Sequence, residues 1–426
     1  MSSYEHEIML KGVKYIMKLN TLLKNKIFIS LLILGLFEPD YISWMGGNAG
    51  GMWYLLHLLF RLLLWFDVAA IFVLFLITKK VKLSWCTVSV IVFWAVCLFS
   101  DIYNGAGYSS DLKVGIEACA LILLVEIYFK KDIAYNLLQV IAFWLGSFIV
   151  INFLTILFTS DGLYINSRGW RWNYFLGYKN LHVYIFLPYL MSQACIDFLK
   201  NGKLSKIFYG MTAVILVSSV MNESSTAFAS CSIVVALLIF FKRKNVPTLN
   251  AVSGFAVSIV LSVAIIGFSF QNTLSGFIQA VFQKDTTFTG RLTIWSASLI
   301  QIRQHPILGN GNAEVNAGLS WDVTQCHNRY LDVLFVGGIV LLGVFVWMLW
   351  LGCSRLLKHH GEFANILSFI LIGYAVVFLM EGRRVDILFY YTLLLTSHID
   401  YFQNRIKSLP QVENKCHRKR IRVKIR

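Results

Sequence analysis

Charge is what this sequence has least of. Only 14% of its 426 residues are Asp, Glu, Lys or Arg, against about 25% in soluble domains. With 57% hydrophobic residues and a mean hydropathy of +0.66, a soluble globular class is excluded. No C-x-x-C occurs among the eight cysteines, which argues against a zinc site. Six of them (Cys86, Cys97, Cys119, Cys195, Cys231, Cys353) lie in apolar runs or at their edges, and Cys416 lies in the C-terminal tail. Cys326 therefore has nothing to pair with, and no disulfide framework is expected. A cleavable signal peptide is not expected either: the first apolar run starts near Ile27 and no small-residue cleavage site follows. Walker A, G-x-S-x-G and H-E-x-x-H are missing. The outer loops assigned below carry no D-x-D, the metal-diphosphate motif of soluble sugar-nucleotide transferases. The chemistry is thus expected to need no metal and no cofactor, and to use Arg and His. No internal repeat is evident, whereas inverted-repeat transporters carry matching broken helices in their two halves.

What the chain has instead is apolar runs. A spanning helix needs about 20 mostly apolar residues. Twelve candidates lie near 27–45, 53–77, 83–100, 114–129, 136–158, 181–199, 207–221, 226–241, 249–268, 329–352, 364–380 and 385–400. The fold expected is all-α and integral to the membrane. Of 38 Lys and Arg, 27 fall in one set of connections and 9 in the other, with Arg61 and Arg329 left over in helices. The richer set is cytoplasmic, so both termini are expected inside: a basic N-terminus over 1–26, one transmembrane domain over 27–400, and a basic tail over 401–426. The net charge of +16 sits in short clusters between apolar runs. That pattern fits membrane orientation, with "HRKRIRVKIR" (His417 to Arg426) meeting anionic lipid and no nucleic acid as partner.

Two outer loops stand out, over about 159–180 and 269–328. The second is roughly 60 residues long, a length that is usually functional or disordered. It holds "GRLTIWSASLIQIRQHP" (Gly290 to Pro306), with Leu292, Trp295, Leu299 and Ile302 at helical spacing. An amphipathic helix on or near the outer membrane surface is expected there, followed by a turn at "GNGN" (Gly309 to Asn312). Arg291 in its first turn suits a phosphate; the plainer reading is an arginine reaching lipid headgroups. Arg303, near the other end, reads as a solvated or headgroup contact. The earlier loop, "SRGWRWNYFLGYKN", alternates Arg168 and Arg171 with aromatics able to stack on sugars. Its plainer reading is the aromatic belt of any membrane protein.

At Thr324 to Trp350 the chain sets Cys326, His327, Asn328, Arg329 and Asp332 at the mouth of an otherwise apolar helix. His327 is a candidate general base or a simple cap. Asn328 caps the helix or binds a ligand. Arg329 and Asp332, at i,i+3, are placed to pair with each other. On the second span His57 and Arg61 share a face, and an arginine at that depth usually faces a polar cavity or partner. Arg383 and Arg384 follow Glu381 in the short "EGRR" connection, where they join the same anionic pocket or cap helices.

"GRLTIWSASLIQIRQHPILGNGNAEV" followed by "CHNRYLDVLFVGGIVLLGVF" resembles the signature region of the O-antigen ligase / O-antigen polymerase superfamily. The matching positions are Arg291, Trp295, His305, Pro306, Gly309, Gly311, His327, Asn328 and Tyr330, with Gly337, Gly338 and Gly343 behind them. "RWNYFLGYKN" is similar to a second family element through Arg171, Gly177 and Asn180, with Lys179 where a proline is usual. "NESSTAF" stands where many members have Ser-Arg-Gly. The resemblance implies a C-type membrane glycosyltransferase of about twelve spans in the bacterial cytoplasmic membrane, with its active site facing outward. Its donor would be an oligosaccharide on undecaprenyl diphosphate, and its acceptor a glycan hydroxyl attacked with inversion. Arg291 and His327 would be catalytic. Arg168, Arg171, Asn180, Asn328, Arg61 and His57 would bind diphosphate or sugar, and polysaccharide-assembly proteins would be partners.

The leading function is a polymerase of lipid-linked repeat units for capsule, exopolysaccharide or O-antigen. A ligase moving the glycan to a lipid or wall acceptor is the alternative within the class. A lipid-linked glycan flippase is the alternative outside it, and it has no need of an arginine-led loop helix with a His-Asn pair.

Overall fold

The computed structural model describes residues 19–78, 81–159, 161–166, 169–268, 290–319, 323–382 and 386–408. It is mostly helical. The α-helices are α1 (Lys26–Ile33), α2 (Asp40–Asn48), α3 (Gly51–Ile77), α4 (Trp85–Tyr103), α5 (Ser109–Lys130), α6 (Ala134–Phe158) and α7 (Val183–Asn201). They continue as α8 (Lys206–Met221), α9 (Ser225–Phe241), α10 (Ala251–Phe268), α11 (Arg291–Gln304), α12 (Arg329–Cys353), α13 (Glu362–Met380), α14 (Ile387–Ser397) and α15 (Ile399–Lys407). In lipid every backbone polar group must be satisfied within the chain, and helices achieve this segment by segment. A single two-residue hairpin among the described residues, β1 (Asn173–Tyr174) with β2 (Gly177–Tyr178), precedes α7.

The expected apolar runs are helical, some of them broken into two helices, and not every one qualifies as a span. Among the described residues five helices, α3, α4, α6, α12 and α13, are long and apolar enough to cross a membrane. The α1–α2 pair, bent by 63°, would make a sixth. The helices α8, α9, α10 and α14 are apolar but shorter, while α5 carries Asp111, Lys113, Glu117 and Glu126 along its length. The run expected over 27–45 is broken where "EPD" falls: Pro39 starts α2 without a donor, and the Gly35 amide donates to buried Asp67 on α3 at 2.9 Å.

Aromatic rings fill the centre, where α4, α12, α13 and α14 meet. Phe345, Phe378, Phe389, Tyr390, Phe93 and Trp94 contact one another edge to face or tilted. Arg329 lies inside this cluster, fully buried. Its guanidinium sits 5.4 Å from the Phe345 centroid and 5.6 Å from that of Phe378, and Nη2 donates to the Tyr390 hydroxyl. Asp332 accepts from the Cys326 amide at 3.0 Å.

The apolar helix α12 is interrupted. Gly337 and Gly338 leave helical geometry, Gly338 at φ 60° and ψ −159°, a conformation open essentially to glycine. The turn after α11 fills the break. Asn310 and Gly311 amides donate to the Phe335 and Val336 carbonyls, and Ile339 and Val340 amides donate to the Pro306 and Ile307 carbonyls. Ser100 on α4 donates to the Leu308 and Val336 carbonyls. Gly337 is eight residues past Arg329, so this turn reaches about 12 Å beyond the helix mouth. The two glycine elements quoted above are thus halves of one clasp.

Candidate functional site

The clasp fixes the end of α11 against α12, and the segment between them is pinned as well. Trp295 Nε1 on α11 donates to the Cys326 carbonyl at 2.9 Å. Ile294, Trp295, Ala297, Ser298 and Ile302 are buried, so the helix expected on the membrane surface is seated on protein. Cys326 is fully buried. Asn328 is the N-cap of α12: its Oδ1 accepts from the Tyr330 and Leu331 amides, and its Nδ2 donates to Ser262. Between these anchors His327 is held at φ 49°, a left-handed backbone unusual for a residue with a side chain.

His327 faces a carboxylate that no motif singles out. Glu381, at the end of α13, is only 2% exposed. Arg291 Nη2 reaches its Oε1 at 3.1 Å, and Asn180 Nδ2 donates to the same oxygen at 3.1 Å. Thr226 Oγ1 stands 3.5 Å from it. His327 Nδ1 lies 3.5 Å from the other oxygen, Oε2, an ion-pair distance without hydrogen-bond geometry. Four segments far apart in the chain therefore converge on one side chain: the loop before α7, the start of α9, the start of α11 and the start of α12.

Asn180 is oriented from both ends, since Ser224 Oγ donates to its Oδ1 at 3.1 Å. The "NESS" turn thus supplies Ser224 and, just beyond it, Thr226. Buried His182 secures the approach to Asn180. Asn152 and Asn222 use their Oδ1 atoms to accept from the Leu176 and Ser224 amides. Their Nδ2 groups are therefore left to donate to His182 Nδ1, and His182 Nε2 donates to the Gly177 carbonyl. Burial lifts the Tyr178 phenol above its ordinary value; the nearby Glu381 charge lifts it further, against Arg291. Tyr178 also packs against Trp170, centroids 5.3 Å apart.

The other expected residues are placed elsewhere. Arg171 is exposed on the loop before β1, and Arg168, Arg383 and Arg384 lie outside the described residues. His57 Nδ1 pairs with Glu38 at 2.6 Å, and Arg61, one turn on, is exposed within electrostatic reach of Glu117. Glu38, Glu117, Asp40 and Asp386 line a cavity of about 180 Å³ that also touches Leu181, next to Asn180. Among the described residues no group of three or more His, Cys, Asp or Glu is arranged to hold a metal ion.

Residues 210–346 match the family described as O-Antigen ligase. That match supports the O-antigen ligase/polymerase superfamily. No curated protein and no solved structure matches the chain. The O-antigen ligase domain contains Thr226, Arg291, His327 and Asn328, whereas Asn180 and Glu381 come from either side of it. Together with the apolar helices, the domain describes a multi-pass protein of the bacterial inner membrane. An O-antigen ligase domain implies ligase/polymerase-type transfer, with a lipid-linked glycan and an acceptor as substrates.

Proposed function

We propose that this protein is a polymerase that joins undecaprenyl-diphosphate-linked oligosaccharide repeat units of a bacterial surface polysaccharide. The transfer is inverting, needs no metal and takes place at the outer leaflet. The frame is a twelve-span, C-type glycosyltransferase with both termini cytoplasmic. The observation that carries the reading is the convergence of Arg291, His327 and Asn180 on the buried Glu381.

The acceptor hydroxyl oxygen forms a bond to the anomeric carbon of the donor sugar as the bond from that carbon to the diphosphate oxygen breaks. His327 takes the hydroxyl proton. The diphosphate leaves with the electron pair, and Arg291 stabilises the charge that develops on it, the kind of preorganised electrostatics that contributes most in a water-poor site. Asn180 and Asn328 are assigned to the substrate, together with Arg168 or Arg171 on the loop carrying Trp170 and Tyr178. His57 and Arg61 are assigned to the sugar path beyond the acidic cavity.

The test is reconstitution of the purified protein with lipid-linked repeat unit and no added metal. A ladder of products supports the polymerase. A single transfer to another acceptor makes the protein a ligase, and movement of the lipid across the bilayer without a new bond makes it a flippase. His327→Ala is expected to insert and bind donor but to lose on the order of 10²–10⁴-fold in turnover.

A further inference from the structure

We infer that Glu381 is the residue that sets the proton on His327. The inference rests on the reading of His327 as the base, and it assigns a positioning role to a side chain outside the O-antigen ligase domain. Two donors, Arg291 Nη2 and Asn180 Nδ2, occupy Oε1 at 3.1 Å each. That leaves Oε2 facing His327 Nδ1 at 3.5 Å. A carboxylate only accepts, so it favours the imidazole tautomer that carries its proton on Nδ1. The Nε2 lone pair is then free for a substrate hydroxyl. The geometry suits this division: Nδ1 is fully buried, while the side chain as a whole keeps 22% exposure, so its open part lies away from Glu381. The backbone cannot swing the ring aside cheaply. Asn328 caps the helix directly after it, and Gly382, next to Glu381, lies so close that a Cβ there would stand 3.2 Å from the His327 backbone nitrogen.

The same geometry makes Glu381→Gln a directed test. Arg291 and Asn180 both point donors at the Oε1 position, so the amide oxygen takes that place and the NH₂ faces His327. A donor there obliges Nδ1 to accept, which moves the ring proton to Nε2 and blocks the base. Arg291 keeps an acceptor, so its place in the site is retained. The expected result is a fall in kcat on the order of 10²–10⁴-fold, with KM for the donor unchanged or lower. The donor used is undecaprenyl-diphosphate-linked oligosaccharide extracted from cells lacking this gene.

The second readout needs no substrate. In ¹⁵N-histidine-labelled protein, with the His327 signals identified by their loss in His327→Gln, the wild type is expected to show the Nδ1–H tautomer. Glu381→Gln is expected to show the Nε2–H tautomer. Were the ring to stay protonated on Nδ1 in the variant, or kcat to stay within about threefold of wild type in an otherwise active enzyme, the inference would be wrong. A wild type that forms no glycosidic bond overturns the reading of His327 as base, while the tautomer result still decides whether Glu381 sets the ring.

Discussion

Replacing Gly338 by alanine tests the clasp between α12 and the turn after α11. Gly338 sits at φ 60° and ψ −159°, and a Cβ there would overlap the backbone of Ile307 and Leu308. Backbone strain of this kind costs about 1–3 kcal/mol. The collision cannot be relieved by a side-chain rotation, because the opposing atoms are main chain. Relief means moving the turn, which surrenders the four amide bonds made by Asn310, Gly311, Ile339 and Val340. At about 0.5–1.5 kcal/mol each, their loss brings the total to roughly 3–9 kcal/mol. Gly343, on the same helix, has open space around its Cβ position. Gly343→Ala is therefore expected to be neutral or stabilising by up to about 1 kcal/mol. The assay is thermal stability in detergent, read as the monodisperse fraction surviving stepwise heating. Gly338→Ala should melt well below wild type and Gly343→Ala at or above it. Coincident curves for Gly338→Ala and wild type would refute the clasp.

Arg291→Ala is expected to abolish nearly all product, and Arg291→Lys to recover little, because an ammonium cannot replace the planar fork; Arg303→Ala should leave most of the product, as measured by polymer yield per cell. Orientation is testable with new cysteines, since Cys326 is buried: an impermeant thiol reagent on intact cells should label Glu314→Cys and not Asn245→Cys, both exposed positions, and the reverse pattern would invert the topology. The Arg405 guanidinium holds the Asp132 carboxylate below its ordinary pKa of 3.8. The contribution of this pair is therefore complete above pH 3.8 and is lost as pH falls through the lower folded value. Hydrogen exchange in α15 should rise over that range and not above it, and only modestly, the pair being exposed.

The helices were legible because each apolar run has to satisfy its own backbone in lipid, and Arg291 and His327 were legible because they stand at the ends of a recognisable loop. Glu381 was not. A lone acidic residue closing an apolar helix ahead of two arginines reads as a cap, and its partners Arg291 and Asn180 lie 90 and 201 positions away. Only tertiary packing brings them together. The interruption of α12 was hidden for a different reason: Gly337 and Gly338 sit inside a hydrophobic run, and small residues are tolerated in membrane helices without breaking them. Nor does local spacing tell that Arg329 lies among aromatic rings or that Asp332 accepts from the Cys326 amide.

The clasp also orders events during synthesis. The turn at 306–312 leaves the ribosome before α12, and the amides of Ile339 and Val340 that its carbonyls need have not yet been made. Until α12 enters the bilayer, that turn has to stay in water, because unpaired carbonyls are too costly in lipid. Docking of the turn therefore follows the synthesis of Ile339 and Val340. The clasp is thus a contact that only a chain extended past Val340 can complete.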